Sequence, residues 1–275
     1  MKCAWTELLS ILPIWMRSDV DTLGKEDLQE LHLRLGQAPV LRKQTGFANL
    51  SGRVSDADLS YVINTASRYS PWTAASMSMG YITASGGHRI GICGDAVVSA
   101  DKLTGIRNVR SVCIRVARDF PGIAIKASTI KDNILIIGPP GSGKTTFLRD
   151  LIRHKSKADT VCVVDERGEI FPPGMYTGVH TDILTGISKP MGLDILIRTM
   201  GPKTVAVDEI TQEEDAAALL KACFCGVQLI ATAHASSAED LQCRSVYKPL
   251  IEQGIFQNLI VLGEDKSWHV ERMKQ

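Results

Sequence analysis

The feature that most constrains this chain is a glycine-rich segment that directly follows a short apolar run. Residues 133–137 read Asn-Ile-Leu-Ile-Ile, which is typical of a strand buried on both faces of a parallel sheet. Residues 138–146 read Gly-Pro-Pro-Gly-Ser-Gly-Lys-Thr-Thr and fit the pattern G-x-x-x-x-G-K-[ST]. Residues 147–152 then have a helical composition. A strand, a glycine loop and a helix in this order predict a loop that surrounds the phosphate groups of a nucleotide.

Each residue type in this loop has a chemical reason. Glycines let the backbone fold closely around a polyphosphate, and the start of the following helix adds a positive dipole. We expect Lys144 to contact the β- and γ-phosphates of ATP, and the Thr145 hydroxyl to bind Mg²⁺. A chance glycine loop is the alternative, which the position between strand and helix disfavours. The residues predicted to bind the nucleotide are Gly138, Pro139, Pro140, Gly141, Ser142, Gly143, Lys144, Thr145 and Thr146.

The second half of the chain alternates between apolar runs of strand length and helical patterns. This alternation is typical of a doubly wound α/β domain with a mainly parallel sheet. The predicted strands are 133–137, 160–164, 204–207, 227–232 and 258–262, and the predicted helices are 144–154, 192–200, 213–223 and 238–242.

The first half mixes helical patterns with hairpin patterns and predicts a smaller α+β domain. Residues 56–69 have the apolar spacing of an amphipathic helix, and paired glycines predict a hairpin within residues 80–94. Residues 112–116 alternate as a strand does, whereas residues 28–35 can be drawn as helix or strand. Because Pro121-Gly122 interrupts the pattern, we place the two domains at residues 1–125 and 126–275.

Acidic residues follow two of the predicted strands in the second half. Asp208 and Glu209 come directly after residues 204–207, and parallel strands deliver their carboxyl ends to one sheet edge. We expect Asp208 to hold Mg²⁺ and Glu209 to polarise the attacking water, although two acids can also cap a strand at the surface. A second pair, Asp165-Glu166, follows residues 160–164. It either faces the same nucleotide or forms a surface ion pair with Arg167.

Histidine and arginine candidates complete the predicted site. His234 follows the strand at residues 227–232, where an imidazole could sense the γ-phosphate, although a lone histidine is often an ordinary polar residue. Phosphoryl transfer also concentrates negative charge that an arginine, often from a neighbouring subunit, can stabilise. We take Arg115 and Arg198 as the catalytic candidates. The remaining arginines around residues 112–116, among which the sequence does not choose, are Arg107, Arg110 and Arg118.

Composition excludes some classes of protein. The 275 residues include 31 Lys and Arg against 30 Asp and Glu, a net charge of +1, and 44% are hydrophobic. This charge balance argues against a protein that coats nucleic acid or an anionic membrane. The apolar stretch at residues 4–16 is shorter than the roughly 20 residues that a spanning helix needs, and it lacks the features of a signal peptide. We therefore expect a cytoplasmic protein.

Several segments together resemble the stage III sporulation protein AA family of endospore-forming bacteria. The phosphate-loop pattern is generic, whereas Asp-Glu-Arg-Gly-Glu-Ile at 165–170 and Gly-Gly-His-Arg at 86–89 are more specific. The resemblance extends from about residue 28 to 265. The segments that carry it are 80–83, 86–91, 114–118, 138–153, 163–170, 181–184, 207–210 and 231–234.

The resemblance implies a RecA/AAA-like P-loop ATPase core that is similar to the hexameric motors of secretion and pilus systems. It implies Mg²⁺-dependent ATP hydrolysis in the mother cell, against the membrane complex that joins it to the forespore. By the same resemblance, Glu166 lies at the motors' acidic box and His234 at their histidine box. The N-terminal half would be a mobile domain that supplies arginines across a subunit interface.

Two alternatives to a motor ATPase stay open at this point. A small-molecule P-loop kinase could use the same loop, although Asp208-Glu209 with Thr232 and His234 favour a hydrolase. A non-enzymatic nucleotide switch or nucleic-acid adaptor is disfavoured by the balanced charge and the absence of a basic run.

Overall fold

The computed structural model describes residues 4–43, 45–67, 80–99, 102–172 and 174–273. The chain divides into two compact units. Unit 1 comprises Met1–Asp119 with Pro172–Met175, and unit 2 comprises Phe120–Phe171 with Tyr176–Gln275. The division lies a few residues before the predicted boundary at 125/126, and we propose that the units correspond to the two predicted domains.

Within the described residues, unit 1 is an antiparallel sheet with helices on one face. Its strands follow the spatial order β3-β2-β1-β6-β5-β4. They are β1 (Leu28–Arg34), β2 (Val40–Lys43), β3 (Gly46–Asn49), β4 (Tyr81–Thr83), β5 (Arg89–Ser99) and β6 (Lys102–Arg115). The helices are α1 (Trp5–Ser10), α2 (Ile14–Gly24) and α3 (Asp56–Ser67).

Strand alternation explains why one face of this sheet is covered. Leu31 and Leu33 of β1 are buried. Their register partners in β6, Ile114 for Leu31 and Val112 for Leu33, are buried too. They belong to one apolar cluster with buried residues of all three helices, including Leu59 of α3. The side chains between them point to the opposite face of the sheet.

The secondary structure of unit 1 shows which element residues 28–34 form and confirms the other elements predicted for this half of the chain. Residues 28–34 form a strand rather than a helix. The predicted helix is present over Asp56–Ser67, and residues 68–69 lie outside the described part of the chain. β4 and β5 form the predicted hairpin, and residues 112–115 end the longer strand β6.

Over its described residues, unit 2 is a mainly parallel sheet in the order β13-β12-β7-β11-β10-β8-β9, with only β13 antiparallel to its neighbour. Its strands are β7 (Ile134–Ile137), β8 (Val161–Asp165), β9 (Thr181–Thr185), β10 (Thr204–Val207), β11 (Gln228–Ala233), β12 (Asn258–Leu262) and β13 (Trp268–Arg272). Its α-helices are α4 (Lys144–Lys155), α5 (Lys189–Met200), α6 (Glu213–Phe224), α7 (Ala238–Gln242) and α8 (Lys248–Glu252).

Both faces of the unit 2 sheet are covered, which explains the continuous apolar runs. Ile134 and Ile136 of β7 pack in one cluster with Phe147 and Leu151 of α4. Leu135 and Ile137, which point the other way, join a second cluster that contains residues of α5 and α6. The predicted doubly wound α/β fold is therefore confirmed, with the five predicted strands and four predicted helices in place.

No helix in the described part of the chain is long and apolar enough to cross a membrane.

Candidate functional site

The glycine loop leaves β7 at Gly138 and enters α4 at Lys144. Gly141 and Gly143 have positive φ angles of 74° and 100°, a conformation that favours glycine. Among the described residues, the N–H groups of Gly141 and Gly143 have no hydrogen-bond partner, and neither does the buried hydroxyl of Ser142. These free donors, at the positive end of α4, form a cradle that fits an anionic group.

Lys144 is buried, and its ammonium group has three acceptors. Its Nζ donates to the carbonyl oxygens of Gly138 at 2.8 Å and Pro139 at 3.0 Å, and to Nδ1 of His234 at 3.1 Å. Burial lowers the pKa of Lys144, while the negative charges of Asp208 and Glu209 oppose that shift. The three protons of the ammonium are thus all engaged by groups of the protein.

Asp208 follows β10 and is held through both carboxylate oxygens. Thr145 Oγ1 donates to Asp208 Oδ2 at 2.7 Å, and Thr232 Oγ1 donates to Asp208 Oδ1. The hydroxyl of Thr145 and the carboxylate of Asp208 are oxygen ligands of the kind that Mg²⁺ prefers, so the residues present fit this cation.

The backbone at Glu209 adopts a left-handed conformation with φ of 48°, which is unfavourable for a non-glycine residue. Its N–H donates to Thr232 Oγ1 at 2.8 Å, so one hydroxyl fixes both acidic residues. His234 Nε2 lies 3.1 Å from Glu209 Oε1. Because Nδ1 of His234 accepts from Lys144, the imidazole proton is on Nε2, the nitrogen nearest Glu209. Arg167 lies 3.4 Å from the other oxygen of Glu209.

A cleft beside the loop is lined by the acids of β8 and β10. Its lining residues are Asp165, Glu166, Arg167, Glu169, Lys189, Asp208 and Glu209. Burial raises the pKa of Asp165, although its carboxylate accepts from the N–H groups of Glu169 and Phe171 at 2.9 Å. The Nζ of Lys189 lies 2.7 Å from Glu166 and 3.4 Å from Asp215. Glu166 therefore pairs with Lys189 and not with Arg167, which contacts Glu209 instead.

The structure brings together most of the residues that the sequence singles out. Hydrogen bonds join Lys144 to His234 and Thr145 to Asp208. His234 also lies 3.1 Å from Glu209, and Glu166 lines the same cleft as the two acids. Thr146 follows in the first turn of α4, and Pro139 supplies a carbonyl to Lys144. Pro140 lies within the loop between them.

The two catalytic arginine candidates each pair with an acidic residue of their own unit. Arg198 pairs with Asp194 one turn earlier in α5, at 3.1 Å, and 70% of its side chain is exposed. Arg115, in unit 1, lies 3.7 Å from Glu30 and is 66% exposed. Their roles stay predictions that depend on a second subunit.

Sequence reasoning missed three basic residues of this site. Lys189 neutralises Glu166, Lys266 donates to the Gly141 carbonyl, and Arg149 donates to the carbonyls of Glu169 and Ile170. Lys189 precedes a proline at a helix start, which indicates the helix but not the direction of its side chain. Arg149 is buried in the helix after the loop. A buried arginine needs hydrogen-bond acceptors, so its place in that helix is the signal that could have indicated its role.

The chain is similar to one described protein family over almost its whole length. The family described as "Sporulation stage III, protein AA" matches residues 6–271. Stage III sporulation protein AA of Bacillus subtilis (strain 168) is 34% identical over 284 aligned residues, covering 94% of this chain and 91% of the relative.

Two solved structures have the same fold over nearly the whole chain. The pilus retraction motor PilT with bound ADP gives a TM-score of 0.66 at 15% identity, covering 96% of this chain and 84% of PilT. The Legionella pneumophila ATPase DotB gives a TM-score of 0.62 at 16% identity, covering 95% and 80%. The fold is therefore the one that the pilus retraction motor PilT and the ATPase DotB share.

The hydroxyl of Thr232 provides a direct test of how the two acids are held. We expect Thr232→Val, which keeps the shape of the side chain, to destabilise the protein by about 1–3 kcal/mol because the half-buried Asp208 and Glu209 each lose a hydrogen bond to a buried hydroxyl. Thr199→Val is the matched control, since that hydroxyl donates to the Ile195 carbonyl on an exposed helix face. Denaturant unfolding would measure both, and an equal loss of stability in the two variants would contradict the assignment.

Proposed function

The chain belongs to the sporulation stage III protein AA family, and from this premise we propose that it is an ATPase that converts Mg²⁺-dependent ATP hydrolysis into movement. One observation carries the proposal: an unbroken series of contacts joins Lys144 of the glycine loop, through His234, to Glu209 beside Asp208. A phosphate-binding group, a candidate sensor and a candidate base are thus in direct contact. The fold of secretion and pilus ATPases supports the same conclusion.

Nucleotide binding would exchange the hydrogen bonds of Lys144. The β- and γ-phosphate oxygens replace the carbonyls of Gly138 and Pro139 and the imidazole of His234 as acceptors of its protons. The N–H groups of Gly141 and Gly143, which lack partners among the described residues, donate to the same phosphates. His234 is then released from Lys144, so that its position depends on the bound phosphate.

Thr145 and Asp208 would hold Mg²⁺, which supplies charge neutralisation for the phosphates when it is bound. Thr232 keeps the Asp208 carboxylate in its orientation through a hydroxyl that is itself fixed by the Glu209 N–H. Thr232 therefore preorganises the Asp208 carboxylate, and a fixed orientation of this kind contributes to electrostatic stabilisation.

We assign Glu209 rather than Glu166 as the group that orients and deprotonates the attacking water. Glu209 has its backbone fixed by Thr232 and lies next to Asp208, the proposed Mg²⁺ ligand, whereas the Glu166 carboxylate is held by Lys189 at 2.7 Å. His234, which lies 3.1 Å from Glu209, would withdraw when the γ-phosphate binds and free that carboxylate oxygen for water.

We further propose that the protein assembles into a homo-oligomeric ring, a hexamer, and acts at the stage III sporulation membrane complex on the mother-cell side. The family and the motors that it resembles support this arrangement, which would make the protein cytoplasmic and peripheral to the membrane. Arg115 and Arg198 would then reach the γ-phosphate of a neighbouring subunit. Their high exposure, 66% and 70%, supports a role that needs them accessible.

The acidic lining of the cleft favours hydrolysis over the kinase alternative. Five of the seven lining residues are carboxylic acids, which would repel an anionic acceptor molecule but suit a metal ion and water. Measuring phosphate and ADP together separates the two activities, since a kinase would release ADP without free phosphate. A nucleotide switch would bind ATP and release neither at a useful rate.

Lys144→Ala should abolish ATP binding because the main cation for the β- and γ-phosphates is lost. Lys157→Ala is the matched control: its Nζ also lies beside a histidine, His154 Nδ1 at 3.4 Å, but at the exposed end of the same helical region. Calorimetric titration with a slowly hydrolysed ATP analogue measures the affinity. Unchanged affinity in Lys144→Ala would rule out the phosphate-site assignment.

Glu209→Gln should bind ATP normally but release phosphate about 100- to 10,000-fold more slowly, the usual contribution of a general base. Glu166→Gln provides the comparison, and we expect a smaller loss from it. If Glu209→Gln turned over ATP at the normal rate while Glu166→Gln did not, the role of the base would pass to Glu166.

Arginines that act across a subunit interface can be recognised by complementation. Arg115→Ala and Arg198→Ala would each be mixed with Lys144→Ala, so that some sites combine an intact loop with an intact neighbouring arginine. We expect ATPase activity above that of either variant alone for the arginine that acts in trans. Absence of recovery in both mixtures would argue against both residues.

A further inference from the structure

Three potential metal ligands of different chemical types lie together on the unit 1 sheet, on the face opposite the helices. Glu30 and His32 are two residues apart in β1, so their side chains share a face. Cys113 of β6 is the register partner of His32. Leu31 and Leu33, which alternate with them, are buried on the other face. The register of two adjacent strands therefore fixes the cluster.

The distances between the ligand atoms are close to those of a metal site. His32 Nε2 lies 3.1 Å from Glu30 Oε2 and 3.9 Å from Cys113 Sγ, and all three atoms lie within 4.8 Å of one another. Bond lengths of about 2.0–2.3 Å in tetrahedral zinc sites place neighbouring ligand atoms about 3.3–3.8 Å apart. Small side-chain rotations would bring the three atoms to these spacings.

We propose that Glu30, His32 and Cys113 bind one divalent transition-metal ion of the Zn²⁺ type, with the fourth position open to water. Thiolate, imidazole and carboxylate are the three ligand types that zinc takes in proteins. With Cys113 as a thiolate and Glu30 ionised, the ligands carry two negative charges that match a divalent cation. Binding releases the thiol proton of Cys113 to solvent.

The surroundings leave room for an ion. Gly91 of β5 is the register partner of Cys113 on its other side and has no side chain. A Cβ atom at this position would meet nothing nearer than the Cys113 carbonyl oxygen at 3.9 Å. Glu30 and His32 are themselves largely buried, which limits the competition from water for their lone pairs.

Two arginines already share the Glu30 carboxylate, and their placement is compatible with metal binding. Arg42 lies 3.2 Å from Oε2, the oxygen nearest His32, whereas Arg115 lies 3.7 Å from Oε1. Both side chains are more than half exposed, so these ion pairs contribute little and Arg42 can move aside. Arg115 can remain on Oε1 and orient the carboxylate, as outer partners of metal ligands do.

Cobalt(II) can report this site directly, because a cobalt–thiolate bond gives a charge-transfer band in the near ultraviolet. The full chain, reduced and kept in excess Mg²⁺ to occupy the phosphate loop, would be titrated with Co²⁺ and then with Zn²⁺. We expect a thiolate band that saturates at one Co²⁺ per chain and disappears when Zn²⁺ displaces it. No thiolate band with the wild-type chain would overturn the proposal.

Matched variants separate this cluster from other ligands. Cys113→Ser and His32→Ala should weaken Co²⁺ binding by more than about 100-fold, since loss of even an outer partner costs about 10- to 100-fold. His269→Ala is the control, because His269 and Glu271 have the same two-residue spacing on β13, at 2.8 Å, but Val261 is opposite instead of a cysteine. Equal weakening by His269→Ala would overturn the proposal.

A second cysteine variant tests which thiol of the chain binds cobalt. Cys225→Ser removes an exposed thiol in unit 2 and should leave the thiolate band intact. If the band were lost in Cys225→Ser but kept in Cys113→Ser, the thiolate would come from another site and the assignment would be wrong. Because the ligands are not residues proposed for ATP hydrolysis, failure of this test leaves the proposed activity unaffected.

Discussion

The arrangement of unit 2 depends on the buried ammonium group of Lys144. A buried charge without partners is costly, so the protein must supply acceptors wherever this side chain is placed. The carbonyls of Gly138 and Pro139 come from the loop itself, and the third acceptor, His234, comes from the end of β11. Strand order, loop conformation and histidine position are thereby linked through one side chain. Phosphate oxygens could replace the same acceptors, which is why this constraint is also the basis of the proposed function.

Thr232 extends this linkage from the loop to the acids of β10. Its hydroxyl donates to Asp208 and accepts from the N–H of Glu209, so β11 fixes the backbone of its neighbour at an unfavourable φ angle. Strain of this kind persists where surrounding contacts hold it, and it is frequent at functional sites. The parallel order β7-β11-β10-β8 then brings the residues after each strand to one edge of the sheet.

The sequence was sufficient to predict the central strands of unit 2 and the residues that follow them, for a physical reason. β7, β8 and β10 are buried on both faces, so their apolar runs are continuous. β9 and β13 lie at the two edges of the sheet, where β9 is only half-buried and β13 is largely exposed, so the sequence analysis predicts neither strand. Lys189 and Lys266 reach the site through side-chain directions that no spacing rule encodes.

A crystal structure with Mg²⁺ and a non-hydrolysable ATP analogue would test the central claim most directly. The account predicts that Lys144 Nζ lies within hydrogen-bond distance of the β- and γ-phosphate oxygens and has separated from Nδ1 of His234. It would be contradicted if Lys144 kept its three present acceptors while the phosphates bound elsewhere.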